Sequence, residues 1–277
     1  MLKYIFYKIK GHFIKIMKII ILKGQDPRHA YFAKEIQSIK NIEAMVITHR
    51  RADKKRLKKM LLNSPKTFFN RVSKYILYSL TQWNTKEKTF FGSIIIDNEK
   101  TVHNYNDKST IEIIKNFQPD LIAVFGTPII ANAILEIPKY GAINLHGGIS
   151  PEYKGGNTIF WALYNNDLKK VGATIHYMVE KVDSGKVLSK IYPDLNEKDD
   201  EFTASAKTFK YATEEFINII KWIQTHGRKV EGEEQNSKGT LYLAKDRTLL
   251  KEIKGFRKIS KNLKSVNLQK RVERFYA

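Results

Sequence analysis

From about residue 18 to about residue 191, short apolar runs alternate with longer amphipathic stretches, the pattern of a parallel sheet covered by helices. Ile-Ile-Ile-Leu at 19–22 predicts a buried first strand. A loop over 23–28 containing Gly24 and Pro27 then leads into a helix beginning near His29. A second strand is expected over 44–48. A helix over 110–116 precedes Pro119 and an apolar strand over 121–125, after which Gly126 and Pro128 turn the chain into a short helix ending before Pro138. The next strand is 142–145. Beyond a glycine-rich loop come a helix over 159–164, strands over 173–179 and 186–192, and a long helix over 201–224. Phe202, Ala206, Phe209, Ala212, Phe216, Ile219 and Ile220 form the core stripe of that helix. A last strand or hairpin arm is expected over 240–244. The alternation sets the class as α/β with a mostly parallel sheet.

Three segments depart from this rhythm. Residues 50–80 are rich in Lys and Arg and break at Asn63, Ser64 and Pro65, which predicts two helices joined by a turn and inserted between core strands. Leu2, Ile5, Ile9, Phe13 and Ile16 recur at helical spacing beside Lys3, Lys8, Lys10, Lys15 and Lys18, so the start reads as a basic amphipathic helix. The tail from Lys251 is basic and poor in apolar residues, and is expected to be a weakly packed appendage. The resulting division is an N-terminal extension over 1–17, a main domain over 18–225 with a helical insertion at about 50–82, and a small basic appendage over 226–277.

Charge and composition narrow the chemistry. The chain has 277 residues, and 49 Lys and Arg against 28 Asp and Glu leave a net charge of +21. Such an excess favours anionic partners: phosphorylated molecules, nucleic acid or acidic lipid headgroups. With no cysteine, disulfides, thiolate metal sites and cysteine nucleophiles are excluded. No apolar run approaches the roughly 20 residues that span a bilayer. The first helix lacks the long apolar centre and cleavage site of a secretory signal, so a cytoplasmic protein is expected. That helix either docks on a membrane surface or packs on its own domain.

Candidate chemistry concentrates around the strand 142–145. Residues two apart in a strand project to the same side, so Asn144 and His146 converge at the carboxyl end of a parallel strand, where α/β sheets bind ligands. The loop that follows contains Gly147, Gly148, Pro151, Tyr153, Lys154, Gly155 and Gly156. Downstream, Asp183 lies in the loop 180–185, where Gly185 permits a tight turn that brings a carboxylate towards the imidazole. His176, in the strand after Thr174, could also face the site but reads first as a positioned structural histidine. His29, at another strand's carboxyl end, reads as a helix-start residue.

The ordered set of Asn144, His146, the loop 147–156, Trp161 and Ala162, Gly172, Thr174 and Asp183-Ser184-Gly185 resembles the folate-dependent formyltransferases. Members of that family act on glycinamide ribonucleotide, methionyl-tRNA and nucleotide-linked amino sugars. The likeness covers residues 119–191. It implies a doubly wound, Rossmann-type α/β domain, 10-formyltetrahydrofolate as donor without a metal, and Asn144, His146 and Asp183 as the catalytic set. By the same resemblance the pterin lies against Phe125, Gly126, Thr127, Pro128, Ile129 and Ile130 and against Val179 and Val182, while Gly148, Tyr153, Lys154 and Gly155 lie near the acceptor. The chain departs from the family at Gly147-Gly148-Ile149-Ser150, where a small residue, Ser, Leu and Leu are usual, and at Lys154, where Arg is usual.

Competing chemistries lack their motifs. No G-x-G-x-x-G follows the first strand, no P-loop occurs, and Gly148-Ile149-Ser150-Pro151 is not a serine-hydrolase elbow. A different reading is a non-catalytic protein that binds RNA or membrane through its basic segments, although no nucleic-acid motif accompanies the charge. Among acceptors, methionyl-tRNA fits the charge, but family members acting on tRNA carry a sizeable second domain and about fifty residues follow the long helix. The insertion and the altered loop separate the chain from enzymes acting on glycinamide ribonucleotide. The expected acceptor is a small phosphorylated amine, above all a nucleotide-linked amino sugar.

Overall fold

The computed structural model describes residues 6–9, 12–50 and 61–276. The strands are β1 Phe6–Ile9, β2 His12–Lys15, β3 Met17–Lys23, β4 Ile42–His49, β5 Glu99–Val102, β6 Leu121–Phe125, β7 Ala142–His146, β8 Tyr153–Gly155, β9 Ala173–Tyr177, β10 Val187–Tyr192, β11 Leu195–Asn196, β12 Thr240–Tyr242, β13 Asn267–Leu268 and β14 Arg271–Arg274. The helices are α1 Pro27–Gln37, α2 Pro65–Leu80, α3 Trp83–Phe91, α4 Lys108–Phe117, α5 Asn132–Leu135, α6 Thr158–Tyr164, α7 Glu201–His226 and α8 Leu249–Leu263.

Among the described residues, eight strands form one sheet in the order β14-β10-β9-β7-β6-β3-β4-β5. The pairs from β7 through β5 are parallel, and β9, β10 and β14 close the other side antiparallel. Strand alternation divides the apolar residues between two layers. Ile19 and Ile21 pack with Phe32, Phe216 and Ile220 on one face, whereas Ile20 and Leu22 pack with Ile114 and Ile134 on the other. The sheet is therefore doubly wound. Its strand order reverses between β3 and β6, so the loops leaving those two strands diverge and open a crevice at their carboxyl ends.

Local chemistry fixes the helices beside that crevice. Pro27 occupies the first turn of α1, and the Asp26 N–H donates to His29 Nδ1 at 3.2 Å, tying the loop after β3 to the helix start. Asp200 caps α7 by accepting from the Thr203 N–H at 2.8 Å, and Gly227 ends it in the left-handed region at φ 62°. Of the expected stripe of α7, Ala212, Phe216, Ile219 and Ile220 pack in the core on one face of the sheet, and Phe202 and Ala206 lie beyond it.

Two expectations are corrected. Of the expected N-terminal helix, residues 6–9 and 12–15 are instead the paired antiparallel strands β1 and β2, Phe6 opposite Lys15 and Ile9 opposite His12, and the rest of it before residue 12 lies outside the described residues. Aromatic and β-branched residues favour extended backbone there, and the same apolar spacing fits a pair of short strands. The C-terminal segment is not a loose appendage. α8 buries Gly255, Ile259 and Leu263, and β14 pairs with β10 to form the edge of the main sheet. In the insertion, α2 begins at Pro65 as the break predicted; most of the first expected helix falls on residues 51–60, outside the described residues. The helix α3 was not expected, and it packs Phe91 against Phe202 and Ala206 of α7. Among the described residues no helix is long and apolar enough to cross a membrane.

The C-terminal strand is held by a buried acid. Glu215 of α7 accepts from Arg274 Nε at 2.8 Å and Nη2 at 2.7 Å, from Tyr276 Oη at 2.8 Å and from Ser189 Oγ at 3.0 Å. Burial alone would raise its pKa, but the bonds from Arg274, Tyr276, Asn218 and Ser189 hold it below the ordinary range. Its stabilisation is therefore full above the unfolded carboxylate pKa and is lost as pH falls. Arg274→Ala should cost about 1–2 kcal/mol in urea unfolding at neutral pH, a value discounted for the half-exposed arginine. The deficit should shrink on acidification.

Candidate active site

The site is assembled by strand register. Antiparallel pairing of β7 with β9 sets Asn144 opposite His176 and His146 opposite Thr174. Directly opposed residues share a face, so four polar side chains line up on one side of an otherwise apolar strand pair. Thr174 then shapes the loop after β7: its Oγ1 donates to the Gly148 carbonyl at 2.7 Å and accepts from the Ser150 N–H at 2.9 Å. Thr158 at the start of α6 donates to the Gly147 carbonyl. Gly148 lies so near this cluster that an added Cβ would sit 2.6 Å from Thr158 Oγ1 and 2.7 Å from His146 Nε2. A side chain there would displace one of them.

Asp183 reaches into the cluster from the loop between β9 and β10, with its backbone in the left-handed region at φ 46°. Oδ2 lies 3.4 Å from His146 Nδ1 and accepts from the Gly155 N–H at 2.8 Å, while Oδ1 lies 3.4 Å from His176 Nε2. Burial would raise the pKa of this carboxyl. The His146 ring, the bond and charge of His176 and the Gly155 N–H outweigh that and hold it well below the usual carboxylate range. For His146 the balance is reversed: burial lowers its pKa against the pull of Asp183, and nearby His176 lowers it further.

Partners decide the tautomers. His176 donates from Nδ1 to the Tyr177 carbonyl at 2.8 Å; its Nε2, 3.2 Å from Asn144 Nδ2 and 3.4 Å from Asp183 Oδ1, accepts from the amide when the ring is neutral and donates to the carboxylate when it is protonated. His146 meets an acceptor on both sides, the Tyr153 carbonyl 2.8 Å from Nε2 and Asp183 at Nδ1. A neutral ring satisfies one of these contacts, and a second proton satisfies both. Burial keeps the ring towards its neutral form against the pull of Asp183, and donating from Nε2 to a substrate oxygen requires it to leave the Tyr153 carbonyl.

A cavity of about 680 Å³ opens at the strand-order reversal. Asp26 from the loop after β3, Arg28 and His29 from the first turn of α1, Phe125 and Gly126 from the end of β6, and Gly147 and Gly155 from the glycine loop contribute to its lining. Asn144, His146 and Asp183 do not line it, but Gly155 bonds Asp183 directly. Tyr75, Ser79, Trp83 and Glu87 of the insertion form another wall, and Phe160, Glu201, Phe209 and Arg247 complete it. Arg28 is bonded to Asp26 at 2.6 Å and to the buried Glu87, which also accepts from Trp83 Nε1 at 3.0 Å. Arg247 is bidentate with Glu201 at 2.8 and 2.9 Å and lies over the Phe160 ring at 3.7 Å. Gly126, at φ 71°, approaches the His29 ring so closely that a Cβ would fall 2.2 Å from Nε2.

The remaining expected contacts are distributed unevenly. Phe125 is a buried side chain against His29, Phe32 and Phe209, and Ile130 packs into the core with Ile134, so Ile130 offers a ligand only its backbone. Ile129, Val179 and Val182 are exposed, with Thr127 half-buried and Pro128 exposed beside them. Val182 precedes Asp183 on the same loop, so exposed apolar surface adjoins the carboxylate there. Tyr153 does not face a ligand: its ring stacks on Tyr242 at 5.6 Å, its hydroxyl bonds Asp167 at 3.1 Å, and its carbonyl serves His146. Lys154 donates to Ser184 at 3.1 Å and so joins the glycine loop to the Asp183 loop. His176, expected first as a structural histidine, joins the cluster beside Asp183 and Asn144; two polar residues on one face of β9, Thr174 and His176, were its signal.

This geometry matches a known family. The family model for formyl transferase matches residues 17–220, and the chain belongs to that family. The methionyl-tRNA formyltransferase of Halalkalibacterium halodurans is 44% identical over 87 residues, 31% of this chain and 27% of that protein. The match thus spans under a third of the length of such relatives. A sugar N-formyltransferase from a Shewanella species superposes with a TM-score of 0.56 at 15% identity, covering 95% of this chain and 98% of that one. A 4-N formyltransferase from Francisella tularensis gives a TM-score of 0.54 at 18% identity, covering 83% and 78%. At those identities the likeness is one of fold.

The depressed folded-state pKa of Asp183 has a measurable consequence. Its stabilisation is full above the unfolded value near 3.9 and is lost as pH falls below it. The stability gap between the wild type and Asp183→Asn, followed by urea unfolding, should narrow through that range. A gap independent of pH would show that the carboxylate is not ionised in the folded protein.

Proposed function

We propose that the chain transfers a formyl group from 10-formyltetrahydrofolate to the amine of a nucleotide-linked amino sugar. The observation that carries this reading is the Asp183 carboxylate set between His146 and His176, with Asn144 bonded to His176, beside a cavity of about 680 Å³, a size that suits a small-molecule ligand. Two arginines and the rings of Trp83, Phe160 and Phe209 give that cavity groups able to meet phosphates and a base. Because both arginines are already paired with carboxylates, a diphosphate would have to share them.

In this proposal Asn144 donates from its amide nitrogen to the formyl oxygen as negative charge develops there, and His176 keeps that amide aimed. His146 takes the proton released by the attacking amine, with Asp183 stabilising the imidazolium, and returns a proton to the departing folate nitrogen. The folate lies along residues 125–130 with Val179 and Val182 against its ring; Gly148, Lys154 and Gly155 face the acceptor. The catalytic unit reaches past residue 225, since Arg247 helps wall the cavity. A reaction on folate and nucleotide sugar belongs in the cytoplasm.

Purified protein should convert nucleotide-linked 3- or 4-amino sugars and 10-formyltetrahydrofolate to the formamido sugar, read by mass spectrometry. Formylation of methionyl-tRNA or glycinamide ribonucleotide instead would redirect the acceptor but keep the chemistry. His146→Ala and Asp183→Asn should each lower kcat by about 10²–10⁴ with little change in folate affinity. Near wild-type turnover in either variant removes that residue from the mechanism.

A further inference from the structure

Two touching helices outside the proposed catalytic cluster carry many of the protein's exposed large apolar side chains. On α8, Leu250, Ile253 and Phe256 are 60%, 54% and 51% exposed. They run beside the buried line of Glu252, Gly255, Ile259 and Leu263, so the helix has a second apolar stripe that the protein's own core does not use. On α2, Phe69 and Ile76 are 62% and 54% exposed.

The charge on these helices has one sign. α2 contains Lys66, Arg71 and Lys74 and no acid. α8 contains Lys251, Lys254, Arg257, Lys258 and Lys261, and its sole acid, Glu252, is buried against Arg247. Lys254, Arg257 and Lys261 are exposed. Exposed leucine, isoleucine and phenylalanine interleaved with cations match a surface that is apolar a few ångströms down and anionic on top.

We propose that the face formed by α2 and α8 docks on an anionic phospholipid bilayer, with Leu250, Ile253 and Phe256 entering the acyl boundary and the flanking lysines and arginine meeting the headgroups. This surface is separate from the N-terminal segment and does not depend on the formyl-transfer reading. A second copy of the chain is the poorer occupant, because a two-fold contact would press cations against the same cations. Nucleic acid would answer the charge but leave the aliphatic side chains in water. Tyr75 and Ser79 of α2 also line the cavity, so docking brings the cavity wall to the lipid.

Sedimentation of the full chain with vesicles tests this. The wild type should pellet with vesicles of equimolar phosphatidylglycerol and phosphatidylcholine, lose binding as salt rises, and stay in solution with phosphatidylcholine alone. The double variant Leu250→Glu/Ile253→Glu should bind the anionic vesicles at least about tenfold more weakly, and so should Lys254→Glu/Arg257→Glu/Lys261→Glu. Far-UV circular dichroism and melting curves matching the wild type would show that these exposed substitutions leave the fold intact. The proposal is overturned if the wild type ignores anionic vesicles, binds neutral ones equally, or keeps its affinity in both variants. It is overturned too if Leu250→Glu/Ile253→Glu abolishes a dimer that does not bind lipid.

Discussion

One carboxylate holds the site together. Asp183 joins a loop to two strands and to the glycine-rich segment, because its two oxygens meet His146, His176 and the Gly155 N–H at once. Buried charge of this kind persists only when every partner is in place, so the loop carrying it, the register of β7 against β9 and the path of the glycine loop are mutually dependent. The same arrangement leaves His146 between two acceptors, whose pull opposes, without outweighing, the burial that lowers its pKa.

Register supplies the precision that the loops alone would lack. Asn144 and His176 face one another because an antiparallel strand was added beside the parallel half of the sheet. In a wholly parallel sheet the two would not be directly opposed partners. Thr174 uses the same pairing to pin Gly148 and Ser150, so one strand both orients a polar pair and shapes the loop. The strand-order reversal between β3 and β6 opens the cavity beside these groups.

Much of the central sheet was legible because strands such as 19–22 and 121–125 are continuously apolar and leave few alternatives. The convergence of Asn144 and His146 followed from strand periodicity, and the approach of Asp183 from its turn. Other features resisted. Leu2, Ile5, Ile9, Phe13 and Ile16 satisfy a helical spacing and are equally compatible with paired strands, so periodicity could not decide between them. Strand β14 has one buried-type aliphatic residue, Val272, and owes its place to the pairing of Arg274 with Glu215 across 59 positions, which no local pattern encodes. The cavity walls come from segments scattered between Asp26 and Arg247, and their meeting is a property of the fold rather than of any motif.

The Glu215 clasp also has a timetable. Glu215 is made 59 residues before Arg274, an interval of roughly 3–12 s at typical rates of synthesis. Throughout it, the acid on α7 has no arginine from the chain's end to neutralise it, and β10 presents an open edge able to pair with other chains. A nascent protein in this state depends on water around Glu215 and on the speed of translation. Slow codons placed late in the message would lengthen its exposure to aggregation.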